Sequence, residues 1–247
     1  MNSLERQREI MARLERQRSV KLSEMIAELQ SSESTVRRDF ECLIKSGIAV
    51  RMYGGIASTL PARGAMMPCP ANVPNLAIKD ALCREVSACI ENGSSVFVDG
   101  GTTFLTIMQY LGQKDISVVT NNALLLADYP VCKAELIVIG GKFNSKYYIS
   151  TGQLAADAVQ RFQFDYALIT CDAIDEAEAA AYADDVNIGS IKQLAMRRAR
   201  KSILVSDSSK FHNHGLYNFA GLGEFTSFYT NPSEHLSSLP VQVIMVD

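Results

Sequence analysis

Residues Ser32 to Gly47 read SESTVRRDFECLIKSG, and this stretch decides how the N-terminal part of the chain is built. Ser32 stands three places before Thr35, the spacing of a side-chain cap on a helix start, and Phe40, Leu43 and Ile44 recur at helical spacing. Gly47 follows the last periodic residue, where glycine ends a helix without strain. Arg37 and Arg38 fall in the first turns, beside Ser32, Ser34 and Thr35. A capped helix with small polar and basic groups at its N-terminus suits a DNA major groove, where such residues meet base edges and phosphates. Taken alone, the stretch reads equally well as an ordinary surface helix with a basic first turn, so the flanking sequence decides.

Upstream, residues 4–16 (LERQREIMARLER) place Leu4, Ile10, Met11 and Leu14 on one helical stripe. Residues 22–30 (LSEMIAELQ) predict a second short helix, with Ser23 as its cap and Leu22, Ile26 and Leu29 facing inward. Ser31 to Glu33 supply a polar turn before the opening stretch. Helix, helix, tight turn, helix is the helix-turn-helix plan. Downstream, IAVRMYGGI at 48–56 alternates through Ile48 and Val50 and turns at Gly54-Gly55, predicting a small β-wing with Arg51 and Tyr53 pointing outward.

With these residues in place, the head resembles the winged helix-turn-helix of the DeoR family of bacterial transcriptional regulators. The family pattern is a serine, two variable residues, then T-[IV]-R-R-D-[LF], with R-x-x-G-G in the wing. Here it is met by Ser32, Thr35-Val36-Arg37-Arg38-Asp39-Phe40, Arg51 and Gly54-Gly55. Two departures stand out: Ser31 where valine is usual, and Tyr53 in place of the wing histidine. The resemblance implies double-stranded operator DNA as a partner, read by Ser32, Ser34, Thr35, Arg37, Arg38, Arg51 and Tyr53, and a homo-oligomer (dimer or tetramer) on paired half-sites.

Composition agrees with a globular protein: 247 residues, 47% hydrophobic and 21% charged, enough for a sizeable core. No apolar run reaches the roughly 18 residues of a membrane helix, and the charged start MNSLERQREI excludes a secretory signal; a cytoplasmic protein is expected. Cys42, Cys69, Cys83, Cys89, Cys132 and Cys171 form no C-x-x-C pair, so reduced and mostly buried thiols are expected, with no metal site. His212 and His214 flank one asparagine and read as a loop rather than metal ligands. Net charge is −3, yet residues 1–60 carry ten bases against eight acids, a mildly basic head on an acidic body. Pro61, Gly64, Pro68, Pro70 and Pro74 crowd 57–75, which reads as a linker. The domains are thus 1–56, a winged helix-turn-helix, and 76–247.

From Leu76 the pattern alternates. Helices are expected at 76–91, 103–111, 122–128, 151–162 and 185–200; strands at 94–98, 116–119, 135–139, 165–170 and 202–206, with weaker ones at 226–229 and 241–246. This predicts an α/β fold with an open, mostly parallel, doubly wound sheet. Ligands of such sheets bind at the carboxyl ends of the strands, so the residues after each strand are the candidates. They are Asp99-Gly100-Gly101-Thr102-Thr103, Thr120-Asn121-Asn122, Gly140-Gly141-Lys142, Cys171-Asp172-Ala173-Ile174-Asp175 and Asp207-Ser208-Ser209-Lys210. Gly100 and Gly101 let a backbone approach an anion, and Thr102 and Thr103 start the next helix, whose N-terminus favours phosphate. Asn121 both donates and accepts, as a sugar hydroxyl requires; Asp99 would accept from a hydroxyl and Lys210 would add positive charge. The plain alternative is turn-making.

These loops again resemble the DeoR family, through D-x-G-T-T at 99–103, V-T-N at 119–121, Gly140-Gly141 and D-x-S-K-F at 207–211. The resemblance implies an effector domain that shares its fold with sugar-phosphate isomerases and senses a phosphorylated sugar, through Asp99 to Thr103, Asn121, Gly140, Gly141 and Lys210, without cofactor. Departures fall at Cys171 to Asp175, at 176–184 and at Tyr147-Tyr148. Two function classes follow: a regulator of a carbohydrate-utilisation operon, as repressor, and a sugar-phosphate isomerase-like enzyme using Asp172 and Asp175 to shuttle a proton. An isomerase has no use for a DNA-reading head, so the regulator is the reading adopted.

Overall fold

The computed structural model of this protein describes residues 3–17, 19–46, 48–58, 73–127, 132–212, 215–236 and 239–247. Gly47, His214, Cys69 and the expected linker residues from 59 to 72 lie outside the described residues, as do the side chains of Leu4 and His212. The chain divides into two units, residues 1–69 and 70–247.

The first unit runs α1 (Ser3–Gln17), β1 (Ser19–Lys21), α2 (Leu22–Leu29), α3 (Glu33–Lys45), β2 (Ala49–Met52) and β3 (Gly55–Ser58). One core holds Ile10, Leu14, Met25, Leu29, Val36, Phe40 and Leu43 with Val20, Ala49 and Ile56. Three local expectations change. On α2 Leu29 is buried and Leu22 and Ile26 pack against the core as expected, joined by the buried Met25, but Ser23 caps nothing because the helix already begins at Leu22. In the wing, Ala49 and Ile56 point inward and Val50 outward. The wing also has a third strand: β1 pairs antiparallel with β3, in the order β1-β3-β2. Gly54, at φ +75, makes the turn, but Gly55 serves the close approach of two strands. A Cβ at Gly55 would lie 2.0 Å from the Val20 carbonyl oxygen, so only glycine lets β1 close on β3.

Asp39, within the motif, faces the interior and not a partner. It is 1% exposed and accepts from Ser3 Oγ at 2.8 Å, Arg6 Nε at 2.7 Å and Gln7 Nε2 at 3.3 Å, latching α1 onto α3. Burial alone would raise its pKa; the hydrogen bonds from Arg6, Ser3 and Gln7 and the Arg6 charge outweigh it, and the carboxyl titrates below its ordinary value. The stabilisation is therefore present above the unfolded pKa of about 3.9 and is lost as pH falls through the lower folded value. Asp39→Asn is expected to destabilise the head by roughly 1.5–3 kcal/mol at neutral pH. Urea unfolding followed by amide NMR should show that difference shrink once the pH drops below the unfolded pKa.

The second unit contains a seven-stranded sheet with strands β4 (Ser95–Val98), β5 (Ser117–Thr120), β6 (Glu135–Val138), β9 (Phe164–Ile169), β12 (Ala199–Val205), β14 (Ser227–Thr230) and β15 (Val243–Met245). Between them lie the hairpin β7 (Lys142–Asn144) and β8 (Ile149–Thr151), and a small sheet of β10 (Ala173–Asp175), β11 (Ala180–Ala183) and β13 (Tyr217–Gly221). The large sheet is parallel throughout, in the order β15-β14-β12-β9-β4-β5-β6. Helices α4 (Leu76–Ala88) and α5 (Ile107–Leu111) pack with Val96, Val98 and Leu168 on one face; α6 (Gln153–Gln160) and α7 (Val186–Arg197) pack with Phe97, Ala167 and Ile169 on the other. The fold is thus α/β and doubly wound, as expected.

The chain steps outward from β4 to β6, then returns to the other side of β4 for β9. The switch between these two directions, the usual ligand crevice, falls between β4 and β9. Register there is pinned by Asp165, which accepts from Ser95 N at 2.9 Å. The helix expected at 103–111 divides into a tight turn at Thr102–Phe104 and the five-residue α5, and that expected at 122–128 is a tight turn at Ala123–Ala127. Among the described residues no helix is long and apolar enough to cross a membrane.

Candidate functional site

On the first unit, Ser32 adopts extended backbone and its Oγ accepts from Thr35 N at 3.3 Å, capping α3 as the spacing requires. Ser34 Oγ lies 3.0 Å and Thr35 Oγ1 2.8 Å from the same oxygen. Arg37 and Arg38 are exposed one turn on, while Val36 and Phe40 turn inward. Arg51 on β2 is exposed, and Tyr53 at the wing tip is 101% exposed. Between helix and wing runs a groove of about 380 Å³ lined by Arg37, Glu41, Ile44, Arg51 and Tyr53. Of the seven sequence-derived residues, Arg37, Arg51 and Tyr53 line this groove, Ser32, Ser34 and Thr35 cluster at the start of α3, and Arg38 is exposed on the same helix.

On the second unit, the strand exits are joined by hydrogen bonds. Asp99 is buried, and its carboxylate accepts from Gly100 N at 2.7 Å, Thr170 N at 3.1 Å and the ammonium of Lys192. This changes its expected role: three donors hold Asp99, so it shapes the β4 exit instead of accepting from a ligand hydroxyl. Lys192 also donates to Thr170 O at 3.0 Å, and Thr103 and Thr170 hydroxyls meet at 3.0 Å. Asn122 Nδ2 donates to Gly101 O at 3.0 Å, and Gly100 packs beneath Ile149 of β8.

Gly101 has φ +104 and ψ 175, a region open essentially to glycine alone, and it turns the chain into Thr102. Thr102 Oγ1 accepts from Lys79 Nζ at 3.1 Å. Lys79 is buried on α4; burial lowers its pKa, Asp207 opposes that and Lys210 adds to it. The helix-terminus argument for an anion here weakens, because α5 is short and starts only at Ile107; Lys79 supplies the positive charge in its place. Asn121 donates from Nδ2 to Ser150 O at 3.1 Å, and its buried Oδ1 has no partner among the described residues. Lys210, half-buried in a tight turn, follows Asp207, which is held by Asn75 at 3.0 Å.

Other candidates fall elsewhere. Gly140 and Gly141 are exposed at the root of the β7–β8 hairpin. Asp172 accepts from Asp184 N at 3.0 Å and Asp175 from Glu178 N at 3.0 Å, so both carboxylates shape the β10–β11 hairpin. Tyr147 accepts from Lys146 Nζ at 2.7 Å on the other hairpin, and Tyr148 at φ 58 passes its carbonyl to Ala123 N at 2.8 Å. Of the thiols, Cys83 and Cys171 are buried, Cys89 and Cys132 half-buried and Cys42 exposed. Burial pushes Cys171 up to about 11, so it carries no thiolate. No group of metal-ligating side chains occurs among the described residues.

A model of the DeoR C terminal sensor domain matches residues 74–232, and one of the DeoR-like helix-turn-helix domain matches residues 6–61. The putative aga operon transcriptional repressor of Escherichia coli O157:H7 is 31% identical over 86% of this chain and 80% of its own length. The glycerol-3-phosphate regulon repressor of Escherichia coli K12 is 26% identical over 98% of this chain and 96% of its own. An uncharacterized HTH-type transcriptional regulator, FruR of Bacillus subtilis, is 27% identical over 93% and 92%.

Proposed function

The chain belongs to the DeoR family of transcriptional regulators, a DNA-binding regulator and not an enzyme, and from that premise we propose that it represses a carbohydrate-utilisation operon under the control of a phosphorylated sugar. In this reading residues 1–56 read operator DNA, 57–75 join the parts and 76–247 sense the effector. The chain works in the cytoplasm as a homo-oligomer whose paired heads meet paired half-sites. The names of two relatives, repressors of the aga operon and of the glycerol-3-phosphate regulon, support the same class of regulation.

One observation carries the effector reading: the buried Lys79 donates to Thr102 beside Gly101, at the exit of β4 and next to the topological switch. A buried ammonium on a glycine-threonine loop attracts a phosphate dianion, and the vacant acceptor of Asn121 suits a sugar hydroxyl. The test is thermal unfolding of the full chain with phosphorylated pentoses and hexoses, their free sugars and inorganic phosphate. A phosphorylated ligand at a hundred times its Kd should add about 2.7 kcal/mol. Lys79→Met should remove most of that gain. Equal stabilisation by the free sugar would overturn the phosphate part of the reading, and no stabilisation by any sugar phosphate would overturn the effector class.

A further inference from the structure

The two arginines that flank the helix–wing groove are already occupied. Arg37 donates to Glu33 Oε1 from Nε at 2.8 Å and from Nη2 at 2.6 Å. Arg51 reaches across from β2 to Glu41 on α3. The four side chains are 44–66% exposed, so both pairs stand on the surface where a duplex would lie. Arg38, the next residue of α3 and also exposed, has no ionic partner among the described residues.

A phosphate that arrives at Arg37 or Arg51 meets a guanidinium whose charge a carboxylate already neutralises. Whether it displaces that carboxylate or binds the remaining N–H groups beside it, the carboxylate still faces the DNA. These two arginines then add little to sequence-independent attraction, whereas Arg38 adds a full phosphate contact. We propose that Glu33 and Glu41 are specificity-determining positioning residues, which withhold Arg37 and Arg51 from unmatched DNA until base contacts compensate for their release. The proposal rests on the DNA-reading assignment of this surface. Glu41 also ties the wing to the recognition helix, so its carboxylate sets where Arg51 waits.

The test uses the full-length chain and a random-sequence duplex, with Kd measured across a salt series. Glu41→Gln should tighten binding about three- to tenfold near 0.1 M salt and steepen the log–log slope by roughly 0.9, the counterion release of one phosphate. In the Arg51→Ala background, the same Glu41→Gln change should move Kd by less than about twofold, since coupled neighbours are non-additive. Equal tightening with and without Arg51 would mean a general charge effect and would overturn the proposal, as would no change or weaker binding. Arg38→Ala separates this from the underlying reading. If Arg38→Ala weakens duplex binding while Glu41→Gln does nothing, the DNA-reading surface stands and the withholding role is lost. If the unaltered chain binds no duplex at low salt, both are lost.

Discussion

Lys192→Met lowers the stability of the second unit by roughly 3–5 kcal/mol, the cost of breaking a buried ion pair from one side. Lys192 is 3% and Asp99 1% exposed, at the switch between β4 and β9. Methionine fills much of the lysine volume, so the loss is electrical: the Asp99 carboxyl is left in a buried site without the ammonium. The Gly100 and Thr170 amides remain as donors, which keeps the cost finite. At roughly 2–4 °C per kcal/mol for a unit of this size, the melting temperature should fall by about 10 °C. Adding Asp99→Asn removes the stranded charge and should recover part of the loss, because replacing both partners of a buried pair is milder than replacing one, although the asparagine amide leaves one of the Gly100 and Thr170 N–H groups without an acceptor. A loss below about 1 kcal/mol in Lys192→Met would mean that the pair is solvated and does not organise the crevice.

Arg37→Ala and Arg38→Ala should each weaken operator binding by about 1–3 kcal/mol, with the fold intact because both side chains are exposed on α3. Their signatures should differ. Arg38, with no ion pair among the described residues to break, should behave as a phosphate contact: its loss weakens matched and random DNA alike and flattens the salt slope by roughly one unit. Arg37, paired with Glu33, should matter more on matched DNA and relax preference at one base pair. Genomic footprinting would first supply the operator, and gel-shift titration of both variants on it would follow. Unchanged affinity in the double variant would remove α3 as the recognition helix.

The sequence was most legible where one period ran long enough to repeat. The stripes of α1 and α3 and the apolar runs expected as strands at 94–98, 116–119 and 165–170 emerged as elements within a residue of those bounds. Three-residue strands such as β1 and β7 have no room for a period, and what makes them strands is a partner far along the chain. The glycine and threonine loop at 99–103 was visible as chemistry, but its two lysines were not. Both could have been found. Lys192 lies four residues after Ile188 and three before Ala195; Lys79 lies three before Leu82 and four before Cys83. Each thus stands in the inward stripe of its helix, among buried neighbours. A lysine on an apolar stripe needs a buried partner, and Asp99 and Thr102 answer that need. Whether Asp99 faces a ligand or a lysine depends on side chains some 93 positions apart, beyond what any local window holds.

The strand order also sets a timetable for the nascent chain. The centre of the large sheet pairs β4 with β9, and Ser95 must wait for Asp165, 70 residues later, before its bond can form. Until then β4 has β5 on one side and an open edge on the other. The first unit closes much sooner, because β1, β2 and β3 all lie within its own short span. Low sequence separation speeds folding and long closures slow it, so on the ribosome the DNA reader matures while the sensor is still an incomplete sheet. For that interval the first unit stands folded without the second, and the length of the interval is fixed by where β9 was placed in the chain.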